Sequence, residues 1–453
     1  MKKIFVLMLV LCCTRMLVAQ EFTAIKGKVA DRWLPQVKLY ETIDGAPVVC
    51  AVAKVEPDGS FGFLVKPKKP GFYVLGEDEK MNFPVYVKGG EEINIELREN
   101  KATLTGKNTK ENVQLYKWQE YAYNIWLKSV FFQKIISTYE DFFPEYEKFV
   151  DGLPAFKANV KSGNKVFDAL LKEWIDYSAD YYGIVFLYTP RTKHPKVSDY
   201  PAYYNQIVNP EKFADESVLA FPNGTTMLRL YAIFASNQKN VAPSDKAAYE
   251  QACLEALPND RLKGEFVVDR FFSQYRTYEE YLDGMNKFGK YWLSPSLKTR
   301  AEAVGTKLYQ TRSGGIAADF TYPDVRGKNV SLSDFKGKVV LIDVWATWCG
   351  PCKQEIPHLK KLEEEMKGTD VVFLGVSVDE AKNKQKWLDF IESEKLGGIQ
   401  VFANGWSKIT KDYRINGIPR FIVIDRKGNV ASFDAPRPSN PALKKMLEME
   451  LKK

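Results

Sequence analysis

Residues 339–359 read VVLIDVWATWCGPCKQEIPHL. Val339 to Val344 is apolar except for Asp343, a run suited to a buried strand. A short turn follows, then Cys349-Gly350-Pro351-Cys352, and Lys353-Gln354-Glu355-Ile356 opens a helix. The strand–turn–helix order puts Cys349 at a helix start. There, unpaired backbone N–H groups and the positive end of the helix dipole stabilise a thiolate. Lowering a thiol pKa from about 8.5 to about 7 raises the thiolate fraction at neutral pH from a few per cent to about half. Cys352 lies one helical turn on and can close a ring with Cys349. The expected chemistry is thiol–disulfide exchange through a mixed disulfide, with Cys349 attacking and Cys352 resolving.

Other uses of the pair fit less well. A zinc site needs two more ligands, but there is no second CxxC and the chain holds only 2 histidines. Haem attachment wants His directly after the second cysteine, where Lys353 stands. A peroxidatic cysteine of the peroxiredoxin type wants Thr three residues earlier, where Cys349 has Ala346. No metal and no cofactor is therefore expected. The other cysteines, at 12, 13, 50 and 253, form no scaffold pattern. Cys50 and Cys253 fall in different expected domains and are read as separate buried thiols.

Outward from the motif, Ser313-Gly314-Gly315 is a natural linker, and strands alternate with helices beyond it. Residues 313–453 are expected to form one α/β domain. Residues 21–106 read as short β runs: Phe22–Val29, Val37–Thr42, Pro47–Val55, Phe61–Val65, Phe72–Gly76, Val85–Val87 and Ile93–Leu97. Turn signals such as Asp58-Gly59 and Gly89-Gly90 separate them, and a β-sandwich-like domain is expected. Residues 107–312 are expected to be α-helical, with Leu115, Trp118, Ala122 and Ile125, and Phe167, Leu170, Trp174 and Tyr177, at helical spacing. The aromatic stripes there suit helix packing better than a ligand groove. Residues 1–20 have the charged start, apolar stretch and Ala19-Gln20 end of a signal peptide, too short to span a bilayer. A lipid-modified Cys12 or Cys13 is disfavoured because Leu11 or Cys12 would precede it where a small residue is expected.

Composition is that of a globular protein: 453 residues, 45% hydrophobic and 27% charged, net +8. An excess so small, without dense Lys/Arg runs, argues against a nucleic-acid partner.

From about residue 316 onward the chain resembles the thioredoxin-fold domain of the TlpA/ResA-like thiol–disulfide oxidoreductases. Besides Trp345–Cys352, the resemblance rests on Ala318-Asp319-Phe320, on the run Val330–Lys338 and on Pro357 in the active-site helix. Gly417-Ile418-Pro419, the strand Phe421–Ile424 and the turn Asp425–Gly428 complete it, and the interval between Cys352 and Pro419 leaves room for a helical insertion around Asn383–Phe402. The resemblance implies a cis Pro419 against the cysteine pair and substrate contacts at Trp348, Gly350, Pro351 and Ile418. It implies that Asp343 is a buried acid able to take the Cys352 proton, the alternative being a capping or edge Asp. Glu355 either tunes the pair or is a solvated helix carboxylate. Arg420, where thioredoxins usually have Thr, either favours a thiolate or points outward. No counterpart of the lysine that partners the buried acid in thioredoxin is obvious; Gly375 stands in the matching place.

The function expected is reduction of protein disulfides in the periplasm, with electrons from a membrane dithiol donor and no stable membrane span after signal cleavage. Cytochrome c maturation is among the roles the resemblance implies. Two alternatives remain open: an envelope binding or scaffold protein with an auxiliary redox domain, and a disulfide isomerase or oxidase.

Overall fold

The computed structural model describes residues 21–30, 33–77, 83–132, 135–239, 241, 245–309 and 312–453. The expected signal peptide, with Cys12 and Cys13, lies outside them. The chain forms two compact units, one running to Arg270 and taking in Lys290–Leu297, the other made of Phe271–Gly289 and Lys298–Lys453.

The first unit opens with β1 (Thr23–Val29), β2 (Gln36–Ile43), β3 (Ala46–Lys54), β4 (Ser60–Val65), β5 (Gly71–Gly76), β6 (Phe83–Val87), β7 (Glu92–Leu97) and β8 (Ala102–Leu104). They make two four-stranded sheets, in the orders β4-β1-β7-β8 and β3-β2-β5-β6. Inward residues of both sheets, such as Ile25, Leu39, Phe63, Leu75, Val85 and Ile95, share one core. Asp44 (φ 50°) and Gly45 (φ 76°) are both left-handed between β2 and β3, as a two-residue hairpin requires. The short β8 is a strand beyond the seven expected.

The helical residues do not stand apart from these sheets. α1 (Lys110–Ser129), α2 (Tyr139–Asp151), α3 (Lys165–Tyr188) and α4 (Gly224–Asn237) belong to the same unit, so residue 106 is no boundary between compact bodies. Thr109 and Asn164 cap α1 and α3 by accepting from Asn112 N and Phe167 N. Phe72 on β5 points away from the sandwich core and packs its ring against Phe167, Trp174 and Phe221, with centroids 6.0, 4.7 and 5.7 Å away. This explains why β5 and β6 read as continuous apolar runs rather than alternating ones: both faces are covered. The side chain of Asn112, fully buried, closes the edge of β6 by accepting from Tyr86 N at 2.8 Å and donating to Tyr86 O at 2.9 Å. At the other end, Thr225 N donates to Gly45 O at 3.0 Å and ties α4 to the β2–β3 hairpin.

Cys253 is buried in the helix Lys246–Glu255, whereas Cys50 is exposed, against the expectation for it. Leu39 pairs with Ala51 and Tyr40 with Val49, so Cys50 is the extra residue of a β-bulge in an edge strand. It is held there by a hydrogen bond from its Sγ to Leu39 O at 3.3 Å.

In the second unit, β9 (Thr321–Pro323) and β10 (Asn329–Ser331) form a hairpin ahead of a five-stranded sheet. Its strands are β11 (Val339–Trp345), β12 (Val371–Ser377), β13 (Ile399–Phe402), β14 (Arg420–Ile424) and β15 (Val430–Ser432), in the order β13-β12-β11-β14-β15. β11, β12 and β13 run parallel; β14 and β15 are antiparallel. Val339 and Leu341 enter a core with Leu362 of α5 (Gly350–Glu365) and Leu447 of α7 (Ala442–Leu451). Val340, Ile342 and Val344 enter the opposite core with Trp387 of α6 (Lys384–Glu394). The insertion expected around Asn383–Phe402 is thus α6 followed by β13. A central β11 covered on both faces is what its apolar run requires.

Candidate active site

The site sits where β11 hands over to α5. After Trp345 the chain turns through Ala346–Trp348, and Cys349 becomes the N-cap of α5, with φ −83° and ψ 100°. Its Sγ accepts a hydrogen bond from Cys352 N at 3.1 Å, the role a capping oxygen usually takes. The two sulfurs are joined as a disulfide, with Cα atoms 5.3 Å apart. Both cysteines are about 95% buried, at 4% and 5% exposure, while Trp348 beside them is 53% exposed. Gly350 and Pro351 are exposed as well. The sulfurs therefore lie just beneath a rim made by the very residues expected to meet substrate.

The turn before Cys349 is fixed from below. Asp379, fully buried, accepts from Thr347 N at 2.9 Å, from Thr347 Oγ1 at 2.7 Å and from Ser377 Oγ at 2.8 Å. Removing this carboxylate strands buried donors, so Asp379→Ala is expected to lose about 2–4 kcal/mol of stability. Urea denaturation checks it; an unchanged midpoint would mean that the turn is held by something else.

The loop before β14 reaches the same end of the sheet. Arg420 pairs across from Val344, so the residues just ahead of it lie level with the end of β11. The Ile418–Pro419 peptide bond is cis. Ile418 packs against the apolar cluster that contains both cysteines.

Asp343 faces α5. It shares a cavity of about 20 Å³ with Cys352, Ile356, Gly375 and Gln400, and Lys360 and Glu363 line it too. That is room for one water molecule. Asp343 Oδ1 is buried and has no hydrogen-bond partner. Burial, with the negative charge of Glu355 second, pushes its carboxyl up to about 7.

Against known proteins, residues 314–433 match the AhpC/TSA family. Thiol-disulfide oxidoreductase ResA of Bacillus thuringiensis subsp. konkukian is 32% identical over 136 residues, covering 28% of this chain and 77% of that protein. The chain belongs to the ResA family of thiol–disulfide oxidoreductases. The thioredoxin-like protein YneN of Bacillus subtilis is 30% identical over 157 residues, 32% of this chain and 90% of that one. Among solved structures, the thioredoxin domain of a thiol-disulfide oxidoreductase from Bacteroides vulgatus matches at 30% identity and TM-score 0.27, over 31% of this chain and 97% of that one. The matched residues 314–433 lie within the second unit.

On this ResA-type frame two residues with open readings are placed. Glu355 is not a solvated helix carboxylate: it is 7% exposed and accepts from Ser439 N at 2.9 Å and from Ser439 Oγ at 3.0 Å. Arg420 does not point outward: it is 6% exposed and its Nη1 lies 3.0 Å from Asp434 Oδ1, so its charge is neutralised locally.

Two residues escaped the sequence reading, Asp379 and Gln400. Gly375 pairs directly with Asp343 across β11–β12. A Cβ there would meet Gln400 Oε1 at 2.1 Å, so the glycine makes room for the Gln400 side chain. Gln400 Nε2 donates to Gly397 O at 2.8 Å, while its Oε1 is buried without a partner. The sequence signal was indirect: a glycine in the middle of an apolar strand marks the close approach of another group.

Proposed function

We propose that this oxidoreductase works outside the cytoplasm as a reductase of protein disulfides. The observation that carries the mechanism is Cys349 capping α5 with Cys352 a turn away, over a cavity shared with the unpartnered Asp343. In the reduced form, the Cys349 thiolate attacks one sulfur of a substrate disulfide, and the departing thiolate takes a proton from water. Cys352 gives its proton to the Asp343 carboxylate, directly or through one water in the cavity. It then attacks Cys349 Sγ and expels the second substrate thiolate. Two electrons pass to the substrate and the Cys349–Cys352 disulfide forms, the state seen in the structure. A group with pKa near 7 is suited to this, since it is basic enough to accept the proton and acidic enough to return it. Trp348, Gly350, Pro351 and the Ile418 backbone receive the substrate segment.

A membrane dithiol donor then re-reduces the pair. The signal-like residues 1–20 support an exported location, and no helix among the described residues is long and apolar enough to cross a membrane. The Gly350-Pro351 dipeptide supports the reducing direction. The pair is expected to equilibrate near the thioredoxin value of about −270 mV against a dithiothreitol series. A potential roughly 100 mV more oxidising would assign the oxidase or isomerase role instead.

A further inference from the structure

The first unit contains a cavity of about 710 Å³ that the exchange chemistry does not use. This is the size of a pocket for a ligand of several residues or rings. One wall is aromatic, with Tyr123 and Trp126 stacked at 6.1 Å, Trp126 and Phe131 stacked at 5.4 Å, and Trp174 and Tyr181 beyond them. Three lining side chains, Tyr116, Trp118 and Asn223, each carry a buried polar atom with no partner. At the side, Lys101 pairs with Glu120 at 2.7 Å and lies 5.0 Å above the Tyr123 ring.

β8, the outer strand of its sheet, lines the same cavity. Its hydrogen bonding can be read from the register. Thr105 N donates to Asn94 O and Arg98 N to Lys101 O, so the bonded pairs are 94 with 105, 96 with 103 and 98 with 101. Ala102 and Leu104 then direct their N–H and C=O groups away from β7. Among the described residues nothing bonds them.

We infer that this cavity binds an extended peptide segment, which adds as a strand to β8 and lays an aromatic or large aliphatic side chain against Trp126. The strand edge selects this class. It offers alternating backbone donors and acceptors at Ala102 and Leu104, which a peptide matches residue for residue and a glycan or lipid does not. Aromatic rings lining the same cavity supply the side-chain pocket that gives a strand-adding ligand its specificity. None of the cavity's lining residues belongs to the unit that carries the cysteine pair.

The test uses the full-length oxidised chain and a pool of fluorescein-labelled, cysteine-free octapeptides in which Thr alternates with Tyr, Phe, Leu or Val. Fluorescence anisotropy is expected to show saturable binding. Trp126→Ala is expected to weaken it about tenfold or more. Ala102→Pro removes an edge donor where proline is tolerated, and is expected to weaken it similarly. The best peptide N-methylated at alternate amides should fail to bind, a control that needs no protein variant. The inference is overturned if no pool member binds at about 1 mM. Equal binding of the N-methylated peptide, or equal affinity in Trp126→Ala, overturns it as well. So does quenching of tryptophan fluorescence by maltoheptaose or by lipid vesicles under conditions where no peptide binds.

Discussion

Cys349→Ser is expected to abolish disulfide reduction, lowering the rate of insulin reduction by roughly three orders of magnitude or more. A serine hydroxyl stays protonated at neutral pH, so no sulfur nucleophile is left to open the substrate disulfide. The variant should still fold, because Cys349 caps α5 by accepting from Cys352 N, and serine is a good residue for that position. Cys352→Ser should behave differently. Cys349 can still attack, but nothing resolves the adduct, and substrate accumulates as a mixed disulfide visible on non-reducing gels. Retention of activity in Cys349→Ser would place the chemistry elsewhere in the chain. Equal trapping by both variants would reverse the roles of the two cysteines.

Asp343→Asn should separate chemistry from stability. An aspartate has a pKa of about 3.9 when unfolded, while here it is pushed up to about 7. Below pH 4 both states are protonated and the group has no influence. Between pH 4 and 7 the unfolded chain ionises first, so the native state loses stability as pH rises. Above pH 7 the full penalty of a buried charge is present, on the order of 2–4 kcal/mol. The Asn variant therefore matches the parent at pH 4 and melts higher at pH 8, by roughly 5–15 °C for a unit of this size. The resolving step should fall about 10- to 100-fold at neutral pH, because Cys352 loses its proton acceptor. Glu355→Gln is the companion variant. Removing the charge that helps raise Asp343 should move the pH profile to lower pH without abolishing exchange. Lys360 and Glu363 line the same cavity, so the profile must be compared with all other groups unchanged. An identical pH-stability curve for Asp343→Asn would remove Asp343 from the mechanism.

The redox motif and its strand were legible because their signals are local: an apolar run, a turn and a cysteine pair within 14 residues, 339–352. The same holds for most sandwich strands. What escaped depends on contacts between distant residues. Ser439 fixes Glu355 from 84 positions away, and Asp379 holds Thr347 from 32 away; neither partner carries a sequence signature. β8 is three residues, Ala102–Leu104, too short to show alternation. Cys50 sits in an apolar run, which reads as buried until the bulge and the edge position turn it outward. The aromatic stripes of α1 and α3 have the spacing of helix packing. Trp174 of α3 packs against Phe72 of β5, and Trp118 of α1 against Phe149 and Phe156, yet Trp126 and Trp174 also wall a large cavity. Periodicity shows that a face is apolar; it does not show whether a neighbour fills the space in front of it.

The double coverage of β5 also bears on the order in which the chain can fold. Phe72 is sealed by Phe167, Trp174 and Phe221, the last roughly 150 residues further along. As synthesis proceeds from the N-terminus, the strands come together with one apolar face still uncovered. That face stays sticky until α3 and the segment ahead of α4 have emerged. The Asn112 clasp on the β6 edge arrives early, only 26 residues after Tyr86. It shields one edge strand of the second sheet from pairing with another chain while the rest of the covering is still being made.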